Sequence, residues 1–422
     1  MYDVIVVGSR CAGSPLAMLL ARRGHRVLLV DRATFPSDTL STHQIQVPGV
    51  ARLKRWGLLE KVKATNAPAV TAVHFDQGEP IVLDGRYPVI DGVGEVYSVR
   101  RTLLDPILIE AAVSAGAEAR DGFNVDALLY DAGRVVGIRG RTKDGTSVDE
   151  RARIVVGADG HRSLVAEQVN APKYNEKPTL SCVYYAYFSD VAASGLEVYG
   201  RPDRAIGVMP TNDGLVCVYT AWPRASFSEY RSNIERNFLA TTDLVPQLGE
   251  RLRAGRRVER FYGTADLPNF FRKPFGPGWA LVGDAGYVLD PVTGQGIGDA
   301  FRDAEYLAEA LHDGLTGRRP LDAALAQYER QRNAAALPMY ELTTQIASFA
   351  PLDPGQVAVL SALRGNQMQT DRFFGVLTGS IAATEFFSPG NLIRILGPIG
   401  FARVAFSMGR KRPTPAAAPG PT

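Results

Sequence analysis

The sequence predicts an α/β fold with an inserted antiparallel sheet and a helical C-terminal region, and three short segments predict it. Val6-Val7-Gly8-Ser9-Arg10-Cys11-Ala12-Gly13 lies at the N-terminus and is answered by Asp31. Val155-Val156-Gly157-Ala158-Asp159-Gly160 comes second. Leu281-Val282-Gly283-Asp284-Ala285 comes third, trailed by Asp290-Pro291-Val292-Thr293-Gly294-Gln295-Gly296-Ile297-Gly298. Together they set three polar contacts along one long dinucleotide, which points to bound FAD and to a Rossmann-like FAD-binding domain.

The first segment has a physical reading of its own. Tyr2 to Val7 is an apolar run of strand character, and Ser14 to Arg23 has helix composition. Gly24 ends that helix, and Val27 to Val30 makes a second strand. The helix N-terminus offers free N–H groups and a positive dipole end to a pyrophosphate. Asp31 stands where a carboxylate accepts both ribose hydroxyls, with Arg32 beside it. Gly8, Ala12 and Gly13 form the turn. Arg10 replaces the middle glycine, so its guanidinium is expected either against the cofactor or in solvent.

The remaining elements follow in order. Residues 33–48 read as a polar loop, and Gly49 to Lys63 as a helix. Short alternating strands occupy 70–98, and a helix spans 99–116 with Leu103, Leu104, Ile107, Leu108, Ala111 and Ala112 on one side. Phe123 to Val156 reads as a strand meander with turns at Asp131-Ala132-Gly133 and Asp144-Gly145. Thr179–Ser189, Ala205–Met209 and Leu215–Trp222 read as strands, the last two joined at Thr211-Asn212-Asp213-Gly214. Residues 299–350 and about 355–408 read as helical. The expected division is 1–173 and 278–335 for FAD, 174–277 for a substrate-binding sheet, 336–408 for a helical region, and 409–422 for a disordered Pro- and Ala-rich tail.

Composition narrows the function classes. The net charge of +3 is too small and dispersed to argue for nucleic acid. Cys11, Cys182 and Cys217 are odd in number and far apart, which fits reduced intracellular thiols and a cytoplasmic location. No metal-ligand spacing occurs, no signal peptide is read at the N-terminus, and no stretch reaches the roughly 18 apolar residues that span a bilayer.

The second and third segments carry chemistry at strand ends. Asp159-Gly160 sits at the carboxyl edge of a strand, where ligands of open α/β sheets bind. Asp284 falls where a carboxylate holds a ribityl chain. The amides at Gly296, Ile297 and Gly298 open a helix that can face the flavin pyrimidine ring and stabilise negative charge there.

On these motifs, together with Arg101-Thr102-Leu103-Leu104-Asp105, the chain resembles the FAD-dependent aromatic hydroxylases typified by para-hydroxybenzoate hydroxylase, over most of residues 1–335. The resemblance implies that Arg101 contacts the flavin and that Asp159 serves FAD and a transient NAD(P)H site. It also implies Asp284 at the ribityl chain and Pro291 over the flavin edge. It further implies that NAD(P)H reduces the flavin, that dioxygen adds to give a C4a-hydroperoxide, and that one oxygen passes to an aromatic or polyketide-like small molecule. Ala166 and Glu167 stand near the place of a family arginine, for which Arg162 is the substitute, and Gly298 stands where many members have asparagine.

Tyr184, Tyr185, Tyr187, Met209, Tyr219 and Trp222 are candidates to line the substrate pocket. Strand alternation sets Tyr185 and Tyr187 on one face and Tyr184 on the other. His43 is a candidate flavin contact or proton relay. Two related chemistries compete. A flavin halogenase carries a Trp-x-Trp-x-Ile-Pro segment and a catalytic lysine, whereas Trp56, Trp222 and Trp279 are isolated here. A geranylgeranyl-reductase-like enzyme, acting on isolated double bonds, is the alternative function. The apolar run Leu392 to Phe401, with Arg410-Lys411-Arg412 beyond it, is a segment that could touch a membrane. The sequence also allows an oligomer.

Overall fold

Hydrophobic strands buried on both faces organise the first half of the molecule. The computed structural model describes residues 1–41 and 43–409, with backbone alone for 407–409. Five parallel strands run in the order Trp279–Leu281, Ser147–Gly157, Tyr2–Val7, Val27–Val30 and Glu118–Arg120. Val4, Ile5 and Val6 are fully buried, as continuous apolar strands of a parallel sheet must be when both faces are covered. The long strand Ser147–Gly157 does double duty. Its first half pairs with Arg134–Arg141, which pairs in turn with Asn124–Asp131, giving the expected meander.

Helices Gly13–Ala21, Arg101–Ser114 and Gly296–Leu315 cover one face of the parallel sheet. The helix expected over 49–63 is two helices, Val47–Trp56 and Leu59–Lys63. Gly57 divides them at φ +79 in the left-handed region, where glycine ends a helix without a Cβ penalty.

The second sheet draws on more of the chain than the sequence suggests. Its order is Arg256–Arg257, Ser181–Ser189, Val216–Pro223, Arg204–Pro210, Leu196–Arg201, Ala72–Asp76 and Val82–Arg86, with Tyr262–Thr264 also on Ser181–Ser189. All its pairs are antiparallel except Leu196–Arg201 with Ala72–Asp76, which run parallel. Residues 72–86 therefore belong to this sheet by hydrogen bonding, although they precede the segment 174–277 expected to form it. One face carries Tyr184, Phe188, Val208 and Trp222 against helices Phe227–Ser232, Ile234–Thr242 and Pro246–Ala254. The other carries Tyr185, Tyr187, Met209, Cys217 and Tyr219.

The C-terminal region is helical, from Leu321–Ala347 through Pro354–Leu363, Gln367–Leu377, Ala383–Phe386 and Pro389–Gly409. Pro354–Leu363 starts in a capping box, with Asp353 and Gln356 reciprocally bonded to backbone. The expected tail lies outside the described residues from 410 onward. Among the described residues no helix is long and apolar enough to cross a membrane.

Arg332, on Leu321–Ala347, is fully buried and holds this helix to the third sequence segment. Its guanidinium donates to the carbonyls of Gly286 and Arg272 (both 3.1 Å) and to the Tyr174 hydroxyl (2.7 Å). An Arg332→Met variant leaves buried carbonyls unpaired, each costing about 1–3 kcal/mol. We expect unfolding free energy to fall by about 3 kcal/mol, read as a lower urea midpoint at unchanged slope; an unmoved midpoint contradicts the assignment.

Candidate active site

The three sequence segments converge at the carboxyl edge of the parallel sheet. Ala158 donates its N–H to the Val7 carbonyl at 2.7 Å, and Val282 donates to Gly157 at 2.9 Å. Gly8 sits at φ +106, and a Cβ there would lie 2.4 Å from the Ala158 carbonyl oxygen. A Cβ on Gly13 would lie 1.7 Å from the Gly8 carbonyl oxygen, so the helix start can approach the strand only as glycine. Ala12 packs on Gly283, where an added Cβ would come within 2.7 Å of its own.

Around this turn the charges are organised. Asp31 accepts from the Ser9 amide (2.7 Å), the Ser9 hydroxyl (3.2 Å) and the Ala33 amide (2.8 Å), so it holds the glycine turn while remaining half-buried at the strand end. Arg32 beside it is exposed. Arg10 faces neither solvent alone nor open space. Its guanidinium meets the fully buried Asp105 carboxylate at 2.5 Å, reaches Ser37 Oγ at 2.9 Å and lies over the Phe35 ring. Arg101 binds the same carboxylate through Nε at 2.9 Å. One buried anion thus carries two guanidinium groups and leaves a net positive charge beside the turn. Cys11 lies against the same carboxylate, and burial pushes its thiol up to about 12, so it is inert as a thiolate at neutral pH.

Asp159 accepts from the Leu164 amide at 2.8 Å through one oxygen, while its other oxygen is buried without a partner among the described residues. Burial raises its pKa. Asp284 is solvent-accessible, yet desolvation by the protein packed around it holds its carboxyl above the ordinary range. In front of helix Gly296–Leu315 there is room: an added Cβ at Gly296 meets nothing within 4 Å, and one at Gly298 meets only Gly49 N at 4.0 Å. Ile297 is buried and anchors that first turn. Behind it Arg302 pairs with Asp299 (2.5 Å) and Asp303 (2.8 Å), and the Tyr287 hydroxyl donates to Asp299. A glycine cradle, a strand-end acid, an unpaired buried carboxylate oxygen and a helix N-terminus facing open space fit FAD.

Pro291 opens a short turn, Pro291–Thr293, capped by the buried Asp290, whose Oδ1 accepts from the Val292 amide. Burial pushes the Asp290 carboxyl up to about 6, against the Ser181 hydroxyl that donates to it at 2.6 Å. This turn borders a cavity of about 1530 Å³ between the second sheet and the C-terminal helices. Met209 and Tyr219 line it. Tyr185 and Tyr187 share that sheet face but close around His43 instead of lining the cavity. Tyr184 and Trp222 face the helices on the far side, with Trp222 stacked on Tyr230, so these two candidates are corrected to core residues.

His43 is fully buried at φ +60, shares a hydrogen bond with the Tyr187 hydroxyl, and leaves Nδ1 without a partner among the described residues. Arg100 lies over the Tyr187 ring at 4.2 Å. Burial, then the charges of Arg101 and Arg100, push the His43 pKa down to about 3. Arg162 is a surface residue paired with Asp266 at 2.6 Å. Sequence reasoning missed Asp105, Gln44 and Gln46. Asp105 carried a signal, an acid four residues after Arg101 on one helix face.

A profile of the FAD binding domain family matches residues 1–343. The chain belongs to the FAD binding domain family. It is an FAD-dependent oxidoreductase, with monooxygenases among its relatives. It is 29% identical over 338 residues to a digeranylgeranylglycerophospholipid reductase of Methanothermobacter thermautotrophicus, covering 78% of this chain and 82% of that one. It is 26% identical to a rifampicin monooxygenase of Rhodococcus hoagii, covering 85% and 74%. The flavin-dependent brominase Bmp2 superposes with a TM-score of 0.80 at 19% identity, over 97% of this chain and all of that one, a likeness of fold alone.

Asp31→Ala and Asp284→Ala should each weaken FAD binding by roughly 1.5–3 kcal/mol, the value of a charge-assisted hydrogen bond. Fluorescence titration of the apoprotein with FAD checks this, and unchanged dissociation constants contradict it. His43 also makes a pH prediction. Its folded pKa lies below the unfolded value of about 6.5, so between those values the unfolded chain binds more protons. Its contribution to stability is full above about 6.5 and is lost as pH falls toward about 3. His43→Gln should therefore lose less stability than the parent chain over that window, measured by denaturant unfolding; parallel curves contradict it.

Proposed function

We propose that this flavoenzyme is an NAD(P)H-driven monooxygenase that inserts one oxygen of dioxygen into an aromatic or polyketide-like small molecule. The observation that carries the reading is the large cavity opening at the Pro291–Thr293 turn, beside the start of helix Gly296–Leu315. Bound FAD supplies the electron transfer and the oxygen activation. Arg10, Asp31, Arg101, Asp159 and Asp284 would hold it, and the amides of Ile297 and Gly298 would stabilise negative charge at its edge. Met209 and Tyr219 would hold the substrate and exclude water. At neutral pH His43 is uncharged, so the His43–Tyr187 pair holds a proton at Nε2 or the hydroxyl without adding positive charge. The rifampicin monooxygenase relative supports the reaction class.

A second reading is a flavin-dependent reductase of isolated double bonds. The reductase relative and the apolar, spacious cavity favour it. Halogenation has less support: Lys177, the one lysine lining the cavity among the described residues, is paired with Glu341 at 2.6 Å.

The test is substrate-stimulated NAD(P)H oxidation over phenols, indoles and polyketide-like aromatics, followed by product analysis under labelled dioxygen. We expect one labelled oxygen in the product and one NAD(P)H per coupled turnover. A product that gains two hydrogens and no oxygen overturns the first reading in favour of the second. Gly298→Pro, which removes one amide at the helix start, should slow turnover by roughly 3 kcal/mol of activation free energy, as loss of one such donor does.

A further inference from the structure

Two glutamine side chains reach the cavity, each with one of its two polar atoms unpaired among the described residues. Gln44 and Gln46 are only 4% and 6% exposed. The Ser98 hydroxyl donates to Gln44 Oε1 at 2.8 Å, which turns Nε2 away as a donor with no acceptor among the described residues. Gln46 Nε2 donates to the Thr293 carbonyl at 3.1 Å, which leaves Oε1 as an acceptor with no donor among the described residues. Both residues line the cavity, together with Pro291 and Met209. Gly294 keeps them accessible: at φ +63, an added Cβ there would come within 3.3 Å of Gln46 Nε2 and 3.2 Å of Gln44 Cγ. Buried polar groups left unpaired are costly, and a binding site recovers that cost when the ligand completes them.

We propose that Gln44 and Gln46 are specificity-determining residues that recognise a flat substrate whose polar edge sets an acceptor beside a donor, as in a lactam, a vinylogous amide or a hydroxyl next to a carbonyl. Gln44 Nε2 donates to the substrate carbonyl, and Gln46 Oε1 accepts from the adjoining N–H or O–H. The proposal rests on reading this cavity as the substrate site. The isoalloxazine edge of FAD has the same donor–acceptor chemistry. The cavity favours the substrate, because Gly8, Asp31 and Asp284 are not among its lining residues. The Tyr87 hydroxyl, also buried and unpaired among the described residues, lines the same space and offers a further polar contact.

The experiment titrates oxidised, FAD-loaded enzyme with carbostyril, a bicyclic lactam, and with its N-methyl derivative, which keeps the carbonyl and lacks the donor. Flavin absorbance reports binding, and neither NAD(P)H nor a reaction is needed, so failure of oxygen insertion leaves these outcomes intact. The parent enzyme should bind carbostyril about tenfold or more tightly than the N-methyl compound, the discrimination expected from one unpaired buried acceptor. Gln46→Met should bind the two equally, and Gln44→Met should weaken both. FAD affinity of each variant, measured on the apoprotein, should be unchanged, which also shows that the fold is kept. Absent binding of carbostyril, equal binding of both probes by the parent, or discrimination retained in Gln46→Met overturns the proposal. A fall in FAD affinity in both variants overturns it by assigning the pair to the cofactor.

Discussion

The fully buried Asp105 carboxylate is the interaction on which the cofactor end of the molecule depends. A lone buried carboxylate is untenable without compensating charge, and breaking a buried pair costs about 3–5 kcal/mol. Here Arg10 from the glycine turn and Arg101 from the start of helix Arg101–Ser114 both converge on it. Arg10 also bonds Ser37, so the loop after Asp31 is drawn to the same point. Turn, helix and loop are thereby fixed relative to one another by one anion. The arginine at the usual glycine position is a structural strut whose surplus charge stands beside the N-terminus of helix Gly13–Ala21, an end that favours anions.

The opposite end is built on packing. The second sheet turns one aromatic face to its own helices and the other toward the FAD-binding half. The C-terminal helices close the remaining side, with Phe349, Leu360 and Leu377 in the cavity wall. Residues beyond the matched family region therefore shape the space next to Pro291, although they contribute none of the cofactor motifs. Arg332 ties the two ends together, since the helix that bonds Gly286 and Arg272 continues to the cavity wall at Thr344 and Gln345.

What the sequence made legible was whatever a backbone requirement enforces. Gly8 and Gly13 cannot carry a side chain, so the turn shows itself in the residue types. The meander over 124–157 shows itself through its turn glycines and alternation. Contacts made by tertiary placement were hidden. Gln44 and Gln46 sit in a stretch that reads as a polar loop, yet Gln44–Ile45 pairs with Tyr97–Ser98 and is buried. Asp105 reads as an ordinary helix pair until Arg10 arrives from 95 residues away. The helices over 227–254 carry apolar positions too sparse to announce themselves, because they cover a single sheet face.

The parallel pairing of Leu196–Arg201 with Ala72–Asp76 has a consequence for engineering and for folding. A sheet whose neighbouring strands lie so far apart along the chain cannot be completed from residues 174–277 alone. A cassette exchanged between homologues at those boundaries would leave Leu196–Arg201 with a raw edge, open to foreign strands, so residues 72–86 must travel with it. During synthesis the early hairpin must likewise wait for its partner, which makes this seam a late and non-local step in acquiring the native topology.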